Sequence, residues 1–182
     1  MMFKKKITIA ILGVDGSGKS TAVEKLSEIY RDDCSVTYMG YTRFEDPRIE
    51  QLEGKRYAFP VVEFLIYMCF WKRFFKGIRT GNIVIFDRYV HEIFLNVGSG
   101  KIQRIRAFVY KYFFPKPSKL VYLHCPVSES LRRKSDIVNP EVFMGMKQRF
   151  DDYFLGRKDV LCLNSGELSP KEITDQICDF IG

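Results

Sequence analysis

Gly13-Val14-Asp15-Gly16-Ser17-Gly18-Lys19-Ser20 is the stretch from which the rest of this 182-residue chain is read. A glycine, four residues, then Gly-Lys-Ser is the phosphate-binding loop pattern in full. Glycines permit the backbone turns that aim several N–H groups at one anion, and a helix starting behind them adds its positive end. Lys19 then reaches the β- and γ-phosphates of a triphosphate, and Ser20 offers a hydroxyl to magnesium. The pattern asks for a buried strand ahead and a helix behind, and both can be read. Lys6–Leu12 (KITIAIL) is β-branched and nearly continuous in apolar character, as in a strand buried on both faces. Thr21–Tyr30 sets Val23, Leu26, Ile29 and Tyr30 on one helical stripe.

Strand-like and helix-like segments keep alternating downstream. Ser35–Met39 reads as a second strand, and residues 41–57 as a long, polar, partly helical connection. Pro60 suits the first turn of a helix running to about Ile78, with Gly81 just past its end. Asn82–Phe86 is a third strand, and Asn96–Gly100 a break. Ile102, Ile105, Val109, Tyr112 and Phe113 follow helical spacing. Lys119–His124 is a fourth strand, followed by a basic helix near Leu131–Lys134 and another over Pro140–Leu155. Val160–Leu163 is a fifth strand, and Ser169-Pro170-Lys171-Glu172 has the spacing of a capping box ahead of a last helix. This alternation implies an α/β fold with a five-stranded parallel sheet flanked by helices in three layers, all in a single domain over residues 1–182.

Composition narrows the partners. The net charge of +7 favours acidic ligands: nucleotides, nucleic acid or an anionic membrane surface. The basic stretch from Lys101 to Lys119, interleaved with aromatics, reads as an amphipathic helix with a basic outer face, which argues against nucleic acid. Val61–Trp71 is apolar but carries Glu63 and is too short to span a membrane. The helix over Val61–Phe75 holds more large side chains than one stripe needs, so a partner subunit is expected over it, making a homodimer. The apolar run after the basic N-terminus is cut by Gly13, which excludes a secretion signal. Five cysteines without metal spacing fit a reducing cytoplasm.

A second motif, Asp87-Arg88-Tyr89, follows the third strand directly, at the end of the sheet where open α/β folds bind ligands. There an aspartate holds magnesium and an arginine neutralises a phosphoryl group in transfer. With Gly13–Thr21 (GVDGSGKST), Tyr41-Thr42-Arg43 after the second strand and Phe86–Tyr89 (FDRY) in this order and spacing, the chain resembles the thymidylate kinase family over nearly its whole length. The resemblance implies a P-loop kinase fold and transfer of the ATP γ-phosphate, with Mg2+, to dTMP or a related phosphorylated acceptor. It assigns Gly13, Asp15, Gly16, Ser17, Gly18, Lys19, Ser20 and Thr21 to ATP. Asp15, Arg43, Arg88 and Tyr89 go to the acceptor, and Ser20 and Asp87 to the metal. Family members without an arginine in the loop supply that charge from a mobile lid, here around 126–140, where Arg132, Arg133 and Lys134 are the candidates beside Lys19 and Arg88. The run Val90-His91-Glu92-Ile93-Phe94-Leu95-Asn96 departs from the serines, alanine, tyrosine and glutamine that shape the family's thymine pocket.

Two further readings stay open. A nucleoside, sugar or other hydroxyl acceptor would need a carboxylate base, for which Glu45 or Asp46 is placed beyond the second strand. A non-catalytic ATP-binding module would keep the loop and transfer nothing.

Overall fold

A computed structural model describes residues 6–41, 46–52, 55, 58–96, 100–134 and 139–182. Five strands, β1 (Ile7–Leu12), β2 (Cys34–Tyr38), β3 (Ile83–Asp87), β4 (Lys119–His124) and β5 (Val160–Asn164), form one sheet in the order β2-β3-β1-β4-β5. Every pairing is parallel, and Ile11 lies opposite both Asp87 and Val121. The helices are α1 (Lys19–Tyr30), α2 (Pro47–Leu52), α3 (Phe59–Arg79), α4 (His91–Leu95), α5 (Lys101–Phe113), α6 (Val127–Arg133), α7 (Pro140–Phe154) and α8 (Pro170–Ile181).

The period-two alternation of the strands sorts their side chains into two cores. Ile9, Ile11, Ile85, Val121 and Leu123 meet α1 and α8 through Val23, Leu26, Ile173 and Ile177. Ala10, Leu12, Val84, Phe86 and Tyr122 face the other way, toward Phe70 of α3, Tyr110 of α5 and Phe150 and Phe154 of α7. This second layer takes up much of the aromatic surplus. Phe74 stacks on Phe86 at 5.6 Å, and Phe114 meets Phe70, Trp71 and Tyr89 edge-on or tilted, geometries that add to the burial of each ring. Three layers thus form around β1, whose Ile9–Leu12 are fully buried.

Helix ends follow the sequence signals. Ser169 and Glu172 close the expected capping box on α8, and the Asn139 side chain caps α7. The connection after β2 contains α2, which buries Ile49 against α3. α4 is a single turn that no periodicity announces.

One expectation is reversed. The stripe Ile102, Ile105, Tyr112 and Phe113 faces out of α5, 53–63% exposed, while α5 seats itself on the core with Tyr110. Beside it α3 exposes Val61, Phe64, Met68 and Phe75. Phe64 of α3 and Ile102 and Ile105 of α5 line an apolar groove of about 310 Å³ between the two helices. Arg106 and Glu63 pair across the helices at 3.2 Å, so α5 is held with its ion pair at the joint and its aliphatic edge outward.

Candidate functional site

The chemistry gathers where β1 and β3 end side by side. β1 runs into the loop 13–18, and α1 leaves it with Gly18 as N-cap, no side chain capping it and no acidic residue in its first turn. The first N–H groups of a helix have no intrahelical acceptor, so this end presents donors and a partial positive charge. Gly16 sits at φ 80°, and a Cβ there would come 2.7 Å from the carbonyl oxygen of Ser130, the residue of α6 that roofs the loop. Only glycine fits both the conformation and the space.

Lys19 folds back over the loop. Its Nζ donates to Val14 O at 2.7 Å and lies 3.9 Å from Asp15 Oδ1, with the side chain 5% exposed. Burial, and next to it the Arg88 charge, pull its pKa down to about 8. Ser20 and Thr21 stand exposed at the head of α1. Among the described residues the buried Ser17 hydroxyl finds no hydrogen-bond partner, nor does Asp87 Oδ1 at the end of β3, whose carboxyl burial pushes upward.

Arg88 occupies the left-handed region at φ 67°, a conformation disfavoured for any residue with a Cβ. Its N–H is held by Ile11 O at 3.1 Å, so pairing with β1 fixes the backbone while the side chain swings across the strand ends. Nη2 meets Asp15 Oδ1 at 2.6 Å and Nη1 meets Glu92 Oε1 at 2.9 Å. Lys134 reaches the other oxygen of Asp15 at 3.4 Å. The two carboxylates on this guanidinium differ. Asp15 is held below the usual carboxylate range: its own burial, which raises it, is outweighed by the Arg88 hydrogen bond and by the Arg88, Lys19 and Lys134 charges. Glu92, 13% exposed, is pushed up by burial despite Arg88 and Lys19.

The expected lid arginines part company. Arg133 donates to Ser165 O at 2.9 Å and reaches Gly16 O at 3.5 Å. With Gly18, Thr21, Ser165, Leu168 and Ile173 it lines a cleft of about 330 Å³ beside the loop. Arg132 points outward, 73% exposed, and pairs with Glu129 at 2.7 Å, an ordinary helix-surface contact. Tyr89 also leaves the acceptor side. It is buried in the core, its hydroxyl donating to Pro115 O at 2.8 Å. Arg43 and Glu45 lie outside the described residues, as do 135–138 of the lid. Asp46 is occupied by Arg48 at 2.6 Å and 2.9 Å, which takes its carboxyl down to about 2.

The sequence reading missed Glu92. Its signal was an acid four residues beyond Arg88, a spacing more often seen in exposed helix pairs. Among the described residues no group of three or more His, Cys, Asp or Glu side chains suits a metal. The site therefore offers one orphaned carboxylate oxygen and one hydroxyl, the small donor set of an ion that takes its other ligands from phosphates and water.

No protein-family model and no curated protein sequence matches this chain. Solved structures do. Deoxyadenosine kinase from M. mycoides with bound dATP superposes with a TM-score of 0.65 at 17% identity, covering 96% of this chain and 99% of that one. A second structure of that kinase, with dCMP and a flexible dCDP, gives 0.64 at 19%, covering 96% and 98%. Thymidylate kinase from Candida albicans gives 0.68 at 18%, covering 97% and 91%. The three-layer α/β fold expected from the sequence is the fold these proteins share.

Proposed function

We propose that this chain is an ATP-dependent phosphotransferase acting on a small acceptor of the nucleoside or nucleotide class. The observation that carries the reading is the Lys19 ammonium, buried at the uncapped N-terminus of α1 with, among the described residues, no carboxylate nearer than the 3.9 Å of Asp15. An anion complements both groups, and a triphosphate supplies one where the loop N–H groups converge. The cleft beside Arg133 and Thr21 takes the donor's base. The solved structures with this fold are named for kinases of a deoxynucleoside and of thymidylate, which supports an acceptor of that chemistry.

Asp87 and Ser20 would hold Mg2+, which when bound neutralises charge on the transferred phosphoryl group. Lys19 holds the donor phosphates, Arg133 the donor side of the loop, and Arg88 faces the acceptor. Positioning and charge neutralisation supply most of the acceleration in such transfers. A nucleoside monophosphate such as dTMP is the acceptor to which the sequence resemblance points, and its anionic oxygen needs no base. A hydroxyl acceptor is the second reading, favoured by Glu92 on Arg88.

The test is ATP consumption with dTMP, other monophosphates, nucleosides and simple sugars, run on the wild type and Lys19→Ala. Removing such a preorganised charge contact costs roughly 100-fold or more in rate. An unchanged rate refutes the assignment, and ATP binding without transfer to any acceptor leaves the non-catalytic module instead. The exposed α3 stripe supports pairing of two copies. A cytoplasmic setting is part of the same proposal, supported by five cysteines that form no disulfide. No described helix is long and apolar enough to cross a membrane.

A further inference from the structure

The acceptor side of Arg88 holds more carboxylate than a monophosphate kinase requires. Arg88 is already shared between Asp15 at 2.6 Å and Glu92 at 2.9 Å, and Lys134 also leans on Asp15. An incoming phosphate, carrying its own negative charge, would be repelled by the two carboxylates that already neutralise this guanidinium. A neutral hydroxyl would not.

We propose that Glu92 is the general base of this site and that the acceptor is a hydroxyl compound, a nucleoside or a sugar. The inference rests on the kinase reading above and specifies its acceptor. Arg88 holds Glu92 by Oε1 alone, and among the described residues Oε2 accepts no hydrogen bond. The carboxylate is therefore fixed in direction with one oxygen available, at the end of the sheet where the loop delivers the γ-phosphate. Of the two bases that the sequence offered for a hydroxyl acceptor, Asp46 is closed off by Arg48 and Glu45 lies outside the described residues.

The three carboxylates here divide by environment. Asp15 is held low among three cations, Asp87 keeps an orphaned oxygen beside the loop, and burial raises Glu92 from its ordinary value, the direction that suits a base. The charged groups facing Glu92 are Arg88 and Lys19, which favour its ionised form, and Asp15, which opposes it. From α5 and α7, packed on the same short helix, no described side chain gives it a charged partner.

The step balances. The acceptor oxygen forms a bond to the γ-phosphorus as its proton passes to Glu92 Oε2. The bond from that phosphorus to the bridging β-phosphate oxygen breaks, and ADP leaves with the electron pair. Glu92 then returns its proton to water.

Glu92→Gln tests this, because a glutamine carbonyl still accepts from Arg88 Nη1 while the base is gone. With deoxynucleosides and simple sugars as acceptors, kcat falls at least 100-fold, within the usual range for a lost base. The rise of kcat with pH on the acid side, present in the wild type, disappears in Glu92→Gln. Glu92→Asp recovers part of the rate, and the ATP-induced thermal shift is retained in both variants. Turnover of monophosphates only, or a Glu92→Gln rate within threefold of wild type, overturns the base and leaves the kinase reading standing. ATP binding without transfer to any tested acceptor overturns both. A loss in Glu92→Gln with the acid limb intact makes Glu92 a positioning residue for Arg88 and overturns the base.

Discussion

Replacing Lys19 by methionine stabilises the ligand-free protein while destroying its activity. The ammonium is 5% exposed, and burial takes its pKa from 10.5 to about 8. At about 1.4 kcal/mol per unit, keeping the proton in the folded state near neutral pH costs about 3 kcal/mol relative to the unfolded chain. Methionine keeps the stem and drops the charge. It also strands Val14 O, which Lys19 now satisfies at 2.7 Å, and that returns about 1 kcal/mol. The net gain is about 2 kcal/mol, or roughly 4–8 °C for a chain of this size. The sign with pH follows from a lysine whose folded pKa is depressed. Its penalty is present in full below about pH 8 and fades as pH rises toward 10.5, where the unfolded lysine also loses its proton. The advantage of the variant therefore shrinks by about 2 kcal/mol between pH 6.5 and 9.5. Urea unfolding of both proteins, without nucleotide and with EDTA, at those two pH values measures it. A variant no more stable than wild type at pH 6.5, or one whose gain is the same at both pH values, refutes the reasoning and means that Lys19 is well solvated or well matched.

Gly16→Ala forces a Cβ to 2.7 Å from Ser130 O at φ 80°, so stability falls by about 2 kcal/mol and ATP no longer raises the melting temperature; an unaltered thermal shift contradicts this. Arg88→Ala strands Asp15 and Glu92 and lowers both stability and turnover, whereas Arg88→Gly, free of the φ 67° constraint, unfolds about 1 kcal/mol later than Arg88→Ala in urea. If two copies pair through the α3 stripe, Phe64→Glu halves the mass seen by light scattering without changing the circular dichroism; a wild-type protein that is already monomeric removes the pairing.

The strands and the loop were legible because their signals are local. A strand buried on both faces has no room for polar residues, so Ile9–Leu12 announces the sheet centre, and the spacing of Gly13, Gly18 and Lys19 is itself the geometry of the anion site. What escaped needed tertiary context. α4 spans five residues, too few for any periodicity. Arg132 and Arg133 are adjacent on α6, about 100° apart around its axis, so only the docking of that helix decides which one meets Ser165. Tyr89 turns into the core because Arg88 ahead of it takes the left-handed bend that reverses the chain after β3. The apolar spacing of α5 was visible, but spacing does not say which way a stripe faces once Tyr110 and Phe114 anchor the opposite side.

The features of the site that cost stability share one kind of remedy. Among the described residues, Lys19 carries a buried charge that donates to a carbonyl and meets Asp15 no closer than 3.9 Å, α1 begins without a side-chain cap, and Asp87 Oδ1 and Ser17 Oγ are buried without hydrogen-bond partners. Each costs on the order of 1–3 kcal/mol, in a domain class whose whole margin is about 5–15 kcal/mol. Packing defects scattered through a core would ask for different corrections. These ask for negative charge at the loop and positive charge at the end of β3, two places joined by the pairing of Ile11 with Asp87. The nucleoside triphosphate and divalent cation of the proposed function would carry both charges in one body, and their binding would relieve the loop and the aspartate together. Arg88 is the exception. Its charge is already matched by Asp15 and Glu92 while its backbone stays strained, so its side chain is aimed before any ligand arrives. On the proposed function, the half of the site assigned to the donor is the one left unsatisfied and the half assigned to the acceptor is built in advance, so the acceptor's identity is to be sought at Asp15 and Glu92 rather than in the loop.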